Sequence, residues 1–185
     1  MTRTLAALAC LALASPAAAD DVTDTLNSAI EAYESGDIQF ALEEIAFAQQ
    51  LMQGMKTDTL SALLPEAPEG FTREIDTEMN AGLAMMGGGT GTEATYSGDA
   101  GSFTLTLLAD SPMVTAMGAM FSNPTIMAAS GELFRVGRQR FVDQDGEVTT
   151  LVANRILVQA SGADRDVMMP VLEAIDYEAL GNFGN

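Results

Sequence analysis

The chain has 185 residues, of which 48% are hydrophobic and only 18% charged; 26 acidic side chains face 8 basic ones, for a formal net charge of −18. That length suits one domain, or one domain with an appended helical piece, and the charge repels nucleic-acid backbones and anionic lipid surfaces at long range. Histidine is absent and cysteine occurs once, which excludes a histidine-based triad, a His-rich metal site and an intrachain disulfide.

Residues 1–19 read as a secretory signal: Arg3 supplies the positive start, Leu5 to Ala14 an apolar run too short for a membrane span, and Ala17-Ala18-Ala19 the small side chains of a cleavage site after Ala19. Ala7-Leu8-Ala9 before Cys10 matches a lipidation box poorly, so a soluble, cleaved protein in an oxidising periplasm is expected rather than a lipid-anchored one. The mature chain would then be free of cysteine and held together by its core alone.

Residues 20–64 predict a helical hairpin. Leu26, Ile30 and Tyr33 recur at helical spacing until Ser35-Gly36-Asp37, where Gly36 can end one helix and Asp37 cap the next. Ile38, Ala41, Leu42, Ile45, Ala48, Met52 and Met55 form the second apolar stripe, and Thr57 or Asp58 can restart a short helix through Leu64. Residues 65–70, with two prolines and a glycine, read as a linker into an α+β domain over 71–185. There Phe71–Glu78 predicts a strand, and Met79–Gly91 a strand or short helix running into a glycine loop. That loop lacks the Lys of a phosphate cradle.

Thr92–Tyr96 and Ser102–Leu108 predict a hairpin, with Phe103, Leu105 and Leu107 alternating against threonines. A helix capped by Asp110 or Ser111 should run from Pro112 to Phe121 and stop before Asn123-Pro124. Strands follow at Glu132–Val136, Arg138–Val142, Val148–Ala153 and Arg155–Ser161. Asp145-Gly146 reads as a hairpin turn rather than a calcium loop. A helix from Asp164 or Asp166 through Ile175, then Tyr177–Leu180, closes the chain. Sequential hairpins favour a mainly antiparallel sheet with helices packed on one face.

Ala29, Tyr33, Gly36-Asp37, Ala41 and Ala48 resemble the junction of a single tetratricopeptide-like helix pair over residues 29–48. In that family the small residues let the helices approach and the aromatic packs across the turn. No second copy is present, so the resemblance implies a helix pair suited to packing on something rather than a stacked array. From Leu63 to Leu180, the start Leu63-Leu64-Pro65, the threonine-rich strand Phe103–Leu108 and the late Leu157-Val158 and Ala160-Ser161-Gly162 loosely resemble small exported proteins and lipoproteins of proteobacteria. That similarity implies a fold and a compartment, and no activity.

Methionine is over-represented, with 12 residues. Met113, Met117 and Met120 share a helix face, where thioethers can fill a core, form an adaptable contact surface, or ligate Cu(I) together with sulfur from Met85, Met86, Met127, Met168 or Met169. Core packing is the favoured reading. Arg135, Arg138, Arg140 and Arg155 cluster and can receive an acidic ligand or partner, although cross-strand pairing with the chain's own acids is the simpler expectation.

Without histidine or a mature thiol, acid–base catalysis would fall to carboxylates, Tyr or the lone Lys56, so no catalytic residue and no cofactor is assigned. The favoured function is a soluble periplasmic, non-catalytic binding or accessory module of unknown ligand or partner, a periplasmic protein being one candidate, with no nucleic acid and no membrane span. Its candidate contact residues are Tyr33, Met113, Met117, Met120, Arg135, Arg138 and Arg140. Two alternatives stand beside it: Cu(I) handling through Met113, Met117 and Met120, and a carboxylate-dependent envelope hydrolase.

Overall fold

A computed structural model describes residues 17–121 and 123–184, with the backbone alone at 17–20, 119, 120 and 124. The expected signal and Cys10 lie almost wholly outside these residues. The chain divides into two compact units, one up to Met52 and one over Gln53–Asn185, so the division falls inside the second helix rather than at the proline segment.

In the first unit α1 (Ala17–Ser35) leads into α2 (Ile38–Ser61), which continues through Thr57 without the expected restart. The turn between them is specified locally. Gly36 adopts φ +87°, where a side chain would be strained. Gly36 N donates to the Tyr33 carbonyl (3.1 Å), Asp37 N donates to the Ala32 carbonyl (2.9 Å), and Phe40 N donates to the Asp37 carboxylate (3.1 Å). Asp37 is thus the expected cap of α2.

The second unit is an antiparallel sheet in the order β1-β2-β3-β7-β6-β5-β4. Its strands are β1 (Phe71–Asp76), β2 (Thr90–Gly98), β3 (Gly101–Ala109), β4 (Glu132–Val136), β5 (Gln139–Gln144), β6 (Glu147–Val152) and β7 (Ile156–Ser161). Each neighbouring pair is consecutive in sequence except β3 and β7, which join through Thr104–Ala109 against Ile156–Ser161. Between β1 and β2 lies a short α3 (Met79–Met85), which resolves the small-residue segment as helix. With its helices, this is the α+β arrangement that sequential hairpins predict, although helices pack on both faces of the sheet rather than on one.

Period-two alternation sorts the core. Leu105 and Leu107 of β3, Val148 and Val152 of β6, and Ile156 and Val158 of β7 pack with Leu60 and Leu64 from the end of the α2 segment. The same core takes in Met168, Val171 and Leu172 of α6 (Arg165–Ala174) and Leu180 of α7 (Tyr177–Gly181). Leu108, Leu151 and Leu157 point to the opposite face, where they meet Val114 of α4 (Pro112–Phe121). Asn123-Pro124, which the sequence reads as a stop, instead starts α5 (Pro124–Ser130). The Asn123 side chain accepts from Thr125 N and Ile126 N, and Pro124 takes the first position.

The linker is tied down rather than loose. Tyr96 Oη donates to the Pro65 carbonyl (2.7 Å), and Arg73 reaches the carbonyls of Leu64 and Pro65 and the Glu66 carboxylate. Among the described residues no helix is long and apolar enough to cross a membrane.

Candidate functional site

The helix pair carries its bulk on the outside. Ala29, Ala32, Ala41 and Ala48 are buried, and short side chains where two helices meet let their backbones approach. The large apolar residues of the same stripes are displaced to the flanks. Ile30 is 55% exposed, Tyr33 68% and Leu42 58%, and Leu26, Ile38 and Ile45 are also open to solvent. Around the Ala29 and Ala41 floor these six side chains line an apolar groove of about 600 Å³, with Glu34 in its wall. Tyr33 thus lines the groove. Residues 20–52 hold eight carboxylates and no Lys or Arg, so the groove lies in a wholly acidic unit.

The methionines divide, and the core reading holds for only some of them. Met127 and Met168 are buried, and Met117 is half-buried against the Leu108–Val114–Leu151–Leu157 cluster. Met113 is exposed, as are Met52, Met55, Met85 and Met86. The helical spacing of 113 and 117 fixes their interval and not which side of α4 meets the sheet. Met85 and Met86 end a helix of seven residues with no buried member. The side chain of Met120 lies outside the described residues.

The arginines depart from the expected pairing with the chain's own acids. Arg155 does pair, with Nε donating to Asp110 Oδ1 and Nη2 to Asp110 Oδ2, both at 2.9 Å. Arg135, Arg138 and Arg140 make no ion pair or side-chain hydrogen bond among the described residues. The acids of their hairpin are taken by another cation: Arg165 Nη1 lies 3.1 Å from Glu132 Oε1 and 3.4 Å from Asp143 Oδ2. Register explains this. Glu132 and Asp143 face each other on one side of the hairpin, whereas Arg135 stands directly opposite Arg140 on the other.

Among the described residues no three His, Cys, Asp or Glu side chains converge on a metal-sized space. Asp110 is held below the usual carboxylate range, chiefly by its hydrogen bonds with Arg155 and then with Lys56. A carboxyl acting as a general acid near neutral pH needs displacement in the opposite direction. Burial pushes the hydroxyl of Tyr96 up to about 12 and that of Tyr177 higher still, so both are hydrogen-bonding core groups at neutral pH.

Sequence reasoning placed Tyr33, Met113, Met117, Met120 and the three arginines among the candidates. It missed the groove residues Leu26, Ile30, Ile38, Leu42 and Ile45 as contact residues because their helical spacing also describes a core stripe. Compared with known proteins, the chain matches no family model, no curated protein and no solved structure. The surfaces themselves therefore carry the functional reading.

Proposed function

We propose that this chain is a non-catalytic binding module of the periplasm, and that its helix pair docks a basic amphipathic helix of a protein partner. One observation carries the reading: a groove of about 600 Å³ whose large apolar side chains stay in water while alanines are buried beneath them. Contiguous exposed apolar surface is characteristic of interaction sites, and a groove between helices suits an inserted helix that presents apolar residues at i, i+3, i+4 and i+7.

Charge selects the occupant. Eight carboxylates without a compensating cation over residues 20–52 favour a partner bearing Lys or Arg beside its apolar anchors. A second copy of the same surface would bring like charge onto like charge, and an anionic membrane is disfavoured in the same way. The periplasmic assignment rests on the signal-like residues 1–19.

The test is calorimetric titration with an amphipathic Leu/Lys peptide of about 18 residues, long enough to lay several helical turns in the groove. Saturable binding is expected, with none for the matching Leu/Glu peptide. Leu42→Gln and Ile45→Gln should each weaken binding about tenfold or more, because each removes the burial of one aliphatic anchor. Both side chains are exposed in the free protein, so the variants should keep stability within about 0.5 kcal/mol of the parent. Equal affinity of parent and variants, or a dimer that the same substitutions dissociate, would overturn the reading.

A further inference from the structure

The β4–β5 hairpin carries a second surface of opposite sign. Three of the eight basic residues of the whole sequence, Arg135, Arg138 and Arg140, lie within six positions of one another. The chain has 26 carboxylates, yet none of the three has an acidic partner among the described residues. Arg135 and Arg140 are direct cross-strand partners, an arrangement in which like charges destabilise a sheet.

Strand alternation keeps the local acids away. Glu132, Phe134 and Asp143 lie on the other side of the hairpin, where Arg165 pairs with both carboxylates and stacks 4.9 Å over the Phe134 ring. Arg138 and Arg140 border a recess of about 180 Å³, closed by Gln139, Thr150, Phe121 and Met127. Its polar wall is fixed: Gln139 Nε2 donates to Thr150 Oγ1 (2.8 Å) and to the Leu151 carbonyl (2.9 Å), and Thr150 Oγ1 donates to the Arg140 carbonyl (2.6 Å). Glu173 lines a neighbouring hollow together with Gly137, Arg138, Gln139 and Tyr177, and forms no ion pair with Arg138.

We propose that Arg138 and Arg140, with Arg135 beside them, form a binding site for a small solute bearing a phosphate or carboxylate group. A guanidinium fork matches either oxyanion through paired N–H donors, and bound anion would remove the repulsion between Arg135 and Arg140. The recess is sized for a free solute. A lipid surface carrying the same headgroup would have to approach a molecule of net charge −18.

The site is tested by amide chemical-shift titration of the whole protein with inorganic phosphate, with succinate, with phosphatidylglycerol vesicles, and with sodium chloride at matched ionic strength. Phosphate or succinate should produce saturable shifts centred on residues 135–142 and 150, while chloride and vesicles should not. Arg140→Gln should weaken binding about tenfold or more, the loss of one charge-assisted pair, and Arg138→Gln should act in the same direction. Glu173→Gln removes a carboxylate from the hollow that Arg138 also lines and should not weaken binding. Because β4 is an outermost strand, its charges also suit a guard against edge-to-edge pairing. Shifts that follow ionic strength alone, together with aggregation of the Arg135→Gln variant, would establish that role and overturn the anion site, as would shifts induced only by vesicles.

Discussion

Asp110 closes two distant parts of the second unit with one carboxylate. It receives Nζ of Lys56 at 3.0 Å as well as the bidentate Arg155 contact, and Arg155 Nη1 goes on to the Phe183 carbonyl at 3.0 Å. Its backbone sits at φ +56°, a conformation that Asn and Asp tolerate better than Ala. Asp110→Asn should therefore lose mainly the ionic part, about 1 kcal/mol for a partly exposed pair, and Asp110→Ala should lose more through added backbone strain. Thermal unfolding should order the Tm values as parent, then Asn, then Ala; equal values for the two variants would remove the strain contribution.

Tyr96 makes the complementary case at high pH. Its hydroxyl is pushed up to about 12 by burial, against about 10 in an unfolded chain. Between those values the folded state holds a proton that the unfolded state has released, so stability falls as pH rises. Unfolding free energy should be insensitive to this group below pH about 10 and decline above it. In Tyr96→Phe the decline should shrink, and the lost bond to the Pro65 carbonyl should cost about 1 kcal/mol at neutral pH. Denaturant midpoints measured across the alkaline range for both proteins check this.

Helices and strands differ in how much of them the sequence made legible. The strands were readable because alternation in Phe103–Leu108 and turn chemistry at Asp145-Gly146 define both face and boundary, and Asp145 and Gly146 indeed adopt φ of 54° and 82°. The helix pair was readable in extent and turn, since Gly36 and Asp37 act locally. Its packing was not: a 3.6-residue period gives the spacing of a stripe without saying which of two adjacent stripes is covered. Here the alanines are buried and Leu42, Ile45 and Tyr33 are left in water.

Helix α5 escaped because Asn-Pro ends one helix as readily as it caps another. The facing arginines escaped because register across two strands is absent from a linear pattern. Ala41→Leu should expose the packing directly. Adding bulk at a buried alanine in the groove floor should cost about 1–3 kcal/mol. Amide exchange should then accelerate along α1 and the first part of α2, with exchange in β3 and β7 unchanged.

Charge is distributed unevenly along the chain. Residues 20–52 carry carboxylates only, whereas Arg135, Arg138 and Arg140 sit on the outermost hairpin of the second unit. Net charge of this size keeps copies apart in solution, and the proposed partners are correspondingly a basic helix for one unit and a small anion for the other.

The strand order has a consequence of its own. β1, β2 and β3 form one meander and β4 to β7 another, each built from neighbours in sequence, and β3 against β7 is where they join. Each ribbon can zip itself by short-range closure before the two halves meet, so only one long-distance encounter remains for the sheet to complete. A backbone cleaved between Phe121 and Pro124 would thus leave two self-templating fragments able to reassociate along a single seam.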